Sequence, residues 1–146
     1  MTAFAPRLPW IPAIALLALQ NGCAQSHQSN AAPSAMEPIR IAVDAPSAGW
    51  TLQPLEAWET EDKVYCLFQL SPPAGLAAQV ITPLDSGMRI PATAKPIKRV
   101  LIGKTWNWGS QAEIDYPESL QHFHSSLPQG AKRLEIKPLH AAERQP

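Results

Sequence analysis

Three groups of side chains in this 146-residue chain have the types and spacing to do chemistry. His122 and His124 form an H-x-H, which on a strand points both imidazoles to one face and can begin a metal site. The surrounding residues read as a helix, where positions two apart diverge by roughly 200°, so the pair is read as polar surface and no metal or cofactor is expected. Trp106, Asn107 and Trp108, in TWNWG, are the second group. If extended, they put both indoles on one face and Asn107 on the other, an arrangement that stacks on a sugar ring or grips a peptide. The competing use is cover for the core, since a chain of this size needs its tryptophans for burial. The third group is Glu56, Glu59, Glu61 and Asp62, read as a like-charged solvated turn rather than an acid–base pair. No G-x-S-x-G and no phosphate-binding glycine loop is present, so no enzyme is expected.

Cysteine chemistry concerns location. The segment LPWIPAIALLAL (residues 8–19) follows Arg7 and is too short and proline-broken to span a bilayer, which makes residues 1–22 a secretory leader. Cleavage before Cys23 resembles processing of a bacterial lipoprotein, with Gly22 in the small position and Cys23 as the lipid attachment point; Gln20 stands where that pattern usually has leucine. Cleavage after Ala24 instead yields a soluble periplasmic or secreted chain and discards Cys23. Residues 23–38 are polar and small, without apolar periodicity, and read as a flexible tether with a root-mean-square reach of roughly 20 Å. The remaining cysteine, Cys66, lies in the apolar run VYCLF and is expected to be a buried, inert thiol rather than the partner of Cys23 in a disulfide.

Residues 39–146 are of single-domain size. Twelve basic and twelve acidic residues leave no net charge and no basic stripe, which argues against nucleic acid as a partner. Sixteen prolines and seven glycines cut the chain into runs of strand length. Strands are predicted at 39–43, at 50–58 with a bulge or edge position where Pro54 breaks the phase, and at 64–70, apolar on both faces and hence central. Further strands are predicted at 77–82, at 88–90 after a turn at Asp85, Ser86 and Gly87, at 97–102 and at 134–137. Residues 116–126 give the one helix, with Pro117 in its first turn and Leu120, Phe123 and Leu127 on one face. The pattern predicts a mainly β fold, a small antiparallel sandwich or barrel with one short helix near the C-terminus.

AGWTLQPLEAWETEDKVYCLFQLSPPAG, followed by AAQVITP and MRIP, resembles the C-terminal domain of the PrcB family, lipoproteins that stabilise a surface protease complex. The likeness covers residues 48–91 and rests on Gly49 and Trp50, two strands about an acidic turn, a Ser/Pro/Gly break, Thr82–Pro83 and Ile90–Pro91. Leu84 and Asp85 stand where the family has aromatic residues. The resemblance implies a β domain acting by protein contact. The expected function is an envelope lipoprotein, anchored to a membrane facing the periplasm, whose domain binds another envelope protein. The alternative is a glycan- or peptidoglycan-binding module using Trp106 and Trp108.

Overall fold

Residues 64–70 are apolar at almost every position because both faces of the strand they form are covered. A computed structural model describes residues 35–139. In order they form β1 (Met36–Ala45), β2 (Thr51–Glu59), β3 (Val64–Ser71), β4 (Thr82–Pro91), β5 (Ile97–Ile102), β6 (Ile114–Asp115), α1 (Leu120–Ser126), β7 (Lys132–Leu134) and β8 (Lys137–Pro138). One sheet has the order β1-β4-β8 and the other β6-β5-β3-β2-β7. The chain is mainly β, with two sheets and one short helix near the C-terminus, as the residue pattern predicts.

Between the sheets, Val64, Cys66, Phe68 and Leu70 of β3 meet Ile39, Ile41 and Val43 of β1 and Met88 and Ile90 of β4. On the far face of β3, Leu67 joins Val100, Ile102 and Phe123, so α1 forms a third layer. The five-stranded sheet is mixed: β5 runs parallel to β3, and β6 parallel to β5. That follows from the chain leaving β3, passing through the other sheet as β4 and returning.

The phase break in β2 is a bulge. The register moves between Pro54 and Glu56, leaving Leu55 as the extra residue. Upstream, Leu52 lies opposite Leu70; downstream, Ala57 lies opposite Cys66, so both reach the core between the sheets despite their odd spacing. Leu55 and Trp58 pack on the helix side.

Four local expectations are corrected. β1 starts at Met36, paired with Pro91, so residues 36–38 are strand rather than the end of the tether. Residues 77–81 form no strand, and β4 starts only at Thr82. Asp85, Ser86 and Gly87 form no turn; they run straight through a ladder in which Asp85 faces Ala42 and Gly87 faces Arg40. Gly87 is there for closeness, since a Cβ would come within 2.5 Å of Leu139 Cδ1. Residues 134–137 are not one strand: β7 pairs with β2 and β8 with β4, so the chain changes sheets between them. The helix is also shorter than predicted. Its N-cap is Ser119, whose Oγ accepts the His122 N–H at 3.0 Å, and Pro117 lies outside it.

β1 is an edge strand, and two of its outward carbonyls are covered by side chains. Arg99 Nε donates to the Arg40 carbonyl at 2.7 Å, and Gln111 Nε2 donates to the Ala42 carbonyl at 2.9 Å. Pro38, of the same parity, has no N–H to offer.

The register also fixes which loops share an end. Ala45 pairs with Thr82, Thr51 with Ser71, and Gln69 with Ile102, so loops 46–50, 72–81 and 103–113 leave together. Met36 enters at the opposite end, beside Pro91.

Deleting Leu55 is expected to keep a cooperative thermal transition at a lower temperature, because Pro54 opposite Phe68 and Glu56 opposite Leu67 then become consecutive pairs of a regular ladder and every residue downstream in β2 keeps its partner and face. Leu55→Ala, which keeps the residue count and the bulge, also retains that transition. Loss of the transition in the deletion variant alone would show that the bulge itself, and not the pairing on either side of it, is required.

Candidate functional site

Among the described residues, the large apolar side chains left exposed are Leu76 (109%), Ile81 (63%), Val80 (55%) and Trp108 (40%). All four lie on the loops of one end. Loop 72–81, PPAGLAAQVI, carries three of them and no charge. It is braced by loop 46–50: the Ala48 N–H donates to the Ala78 carbonyl at 3.0 Å. Gly49 has φ +81°, and a Cβ there would meet Pro73 Cβ at 2.9 Å, so glycine is required both by conformation and by the close approach. From the same turn, Trp50 meets Trp106 edge-on at 5.2 Å, and Trp106 meets Trp108 at 5.7 Å with 34° between the rings. Contact thus runs from loop to loop across the whole end. The only charged side chains on the three loops are Lys104 and Glu113, and exposed Asp44, next to last in β1, lies beside Gly109 and Gln111.

Trp106, Asn107 and Trp108 lie outside the strands, so the two indoles come together through a bend instead of through strand alternation. Trp106 is half-buried and packs against the core between the sheets, with its Nε1 enclosed and without a hydrogen-bond partner. Asn107 and Trp108 are exposed. Lys104 locks the bend: its Nζ donates to the Trp106 carbonyl at 2.6 Å and to Ser110 Oγ at 3.1 Å. The same ammonium lies over the Trp106 ring at 5.3 Å and the Tyr116 ring at 5.1 Å. Loss of water around it lowers the Lys104 pKa. Trp106 is therefore wall, and Trp108 is the ring presented to solvent.

The acidic group divides. Glu59 pairs with Lys95 at 2.9 Å, while Glu61 and Asp62 are exposed in the turn. These residues line one side of an open hollow of about 500 Å³ shared with residues 128–132, at the end where Met36 enters. Glu56 is different, being only 6% exposed and lying under α1. Its Oε1 is 2.5 Å from His124 Nε2, and its Oε2 is 3.5 Å from Arg133 Nη2. His124 in turn meets the Trp58 ring edge-on at 5.7 Å. Glu56 thus ties β2 to α1 and β7, while the two serines of the helix bond to its own backbone: Ser125 Oγ donates to the His122 carbonyl and Ser126 Oγ to that of Phe123. Reading Glu56 with its acidic neighbours missed this role. The bulge was the available signal, because it turns Glu56 away from the face that Leu52 occupies and onto that of α1.

Among the described residues, no three His, Cys, Asp or Glu side chains gather in a group that could hold a metal ion. His122 and His124 both lie on α1, where their spacing separates them. Cys23 falls outside the described residues. Cys66 is fully buried and unpaired, its thiol pushed up to about 12 by burial, against a smaller lowering by Arg99 and with a small further rise from Glu37.

Two outcomes follow from these environments. In the chain with Cys23→Ser, Cys66 is expected to resist maleimide at pH 8 until the protein unfolds. Because its folded pKa is raised, the stability it contributes is complete below the unfolded value near 9 and is lost as pH rises from there to about 12. Thermal melts at stepped pH read this loss, and a native thiol that reacts within minutes would contradict it. Joint His124→Ala and Arg133→Ala replacement strands a buried carboxylate and is expected to cost about 3 kcal/mol in urea unfolding. Glu56→Leu, which leaves His124 and Arg133 able to reach water, is expected to cost much less; equal losses would show that Glu56 is not held as a buried charge.

No protein-family model, no curated protein and no solved structure matches this chain.

Proposed function

We propose that this protein is a non-catalytic docking domain of the cell envelope. A secretory leader delivers it, Cys23 carries the lipid anchor on a membrane facing the periplasm, and the segment after Cys23 gives the domain reach. The loop end of the sandwich then engages another envelope component. One observation carries this reading: among the described residues, the exposed large apolar side chains all sit on adjoining loops, at the end opposite Met36, where the tether enters. Contiguous exposed apolar surface of this kind marks interaction sites on soluble domains. The likeness of residues 48–91 to the PrcB family also favours action by contact. The non-catalytic reading is supported by the use made of the Glu56–His124 pair, which pins a helix to a sheet.

A second reading, glycan binding, is favoured by the exposure of Trp108 beside Asn107 on a braced bend. It recruits only one of the two indoles, since Trp106 is committed to the core.

The test is in cells producing the full chain with a photoreactive amino acid at position 76 or at position 61, combined with the intact mass of the mature protein. The expected result is adducts from position 76 alone and a mass corresponding to a chain that begins at diacylglyceryl-modified Cys23. Adducts from neither position, or from position 61 alone, overturn the docking reading; a glycan adduct at position 76 supports the second reading; an unmodified chain beginning at Gln25 overturns the anchor.

A further inference from the structure

We infer that the loop end docks on a lipid surface, with Leu76, Val80 and Ile81 entering the acyl boundary and Trp108 lying at headgroup level. This rests on the docking reading above and names the partner of the same surface.

The shape of the patch comes first. Leu76 stands clear of its surroundings at 109% exposure, a projecting tip, with Val80 and Ile81 more than half exposed on the same loop. Tips of this kind need a partner that deforms around them or one with matching pockets, and a bilayer deforms. The side-chain types agree. Hot spots between proteins are enriched in Trp, Tyr and Arg, with Leu and Val under-represented, and are rimmed by hydrogen-bonding groups. Here three aliphatic side chains share a loop whose only polar side chain is Gln79. Aliphatic side chains flanked by one tryptophan are instead the composition of interfacial membrane contacts, where indole rings settle among headgroups.

Charge and backbone are compatible with shallow entry. Lys104 is already engaged by the Trp106 carbonyl, Ser110 and two rings, and Glu113 lies 3.9 Å from Arg99. With no free basic cluster on these loops, binding is driven by apolar burial and does not require anionic lipid. Within loop 72–81 the Ala78 carbonyl accepts from both Ala48 and Val80 N–H, and the Val80 carbonyl accepts from Thr82 Oγ1, so part of the loop's backbone is satisfied before contact. Among the described residues no helix is long and apolar enough to cross a membrane, so the contact proposed is an insertion of loops alone.

The experiment uses the full chain with Cys23→Ser and Leu76→Cys, carrying a polarity-sensitive fluorophore at position 76, with Glu61→Cys as the control site and Cys66 buried in both. Neutral phosphatidylcholine vesicles are the probe. The expected result is a blue shift and quenching by shallow nitroxide lipids at position 76 only, with Val80→Ser plus Ile81→Ser lowering vesicle affinity about tenfold at an unchanged melting temperature. A label at position 76 that stays in water, or equal shifts at both positions, which would mark entry by the leader or by an unfolded chain, overturns the inference. A protein adduct at position 76 in cells together with no vesicle response leaves docking standing and removes the lipid. No adduct and no vesicle response remove both.

Discussion

β2 carries one residue more than β3 can pair, and the bulge at Leu55 absorbs it so that both halves of the strand serve the same two hydrophobic layers. Before it, Leu52 faces the neighbouring sheet; after it, Ala57 does, while Glu56 and Trp58 turn to α1. A strand with strict alternation would send either Leu52 or Ala57 to the wrong layer. The helix, β7 and the cover over Leu67 and Val100 all depend on that change of phase. It is a local device with reach across the whole domain, because side-chain direction in a strand admits only two values.

The same change of phase explains the one charged side chain buried among the described residues. Glu56 lies beneath a seven-residue helix that contributes Phe123 as its only buried side chain, too little apolar surface to fix its own orientation. A carboxylate reached by His124 from the helix and by Arg133 from β7 supplies directional contacts that apolar packing lacks. Replacing such a group with a hydrocarbon often costs little in stability, so its contribution is to placement.

How much of this could be read from residues alone depends on whether a signal was local. β3 and β5 were legible because burial on one or both faces writes a period into the chain, and the bulge was legible because Pro54 and Leu55 break one. The stretch AAQVIT has the composition of a strand and is none: its Ala78 carbonyl is used by Ala48 from another loop, and Pro72 and Pro73 precede it. The reverse error occurred at Asp85, Ser86 and Gly87, whose turn chemistry yields to a ten-pair ladder with β1 and to the approach of Leu139. For the candidate site, the sequence pointed to Trp108 but could not separate it from Trp106, since that difference is made by Trp50, far away in the chain. Leu76, Val80 and Ile81 were hidden by the strand reading, because exposure follows from the lack of a neighbouring edge and not from residue type.

The covered edge of β1 has a consequence for crowding. Where copies of a domain meet at high local density, an open strand edge is an invitation to zip together. Arg99 and Gln111 occupy the carbonyls through which a neighbour's strand would begin to pair, and Pro38 withholds a donor. A second copy therefore cannot begin pairing at these positions of β1 without first displacing both side chains.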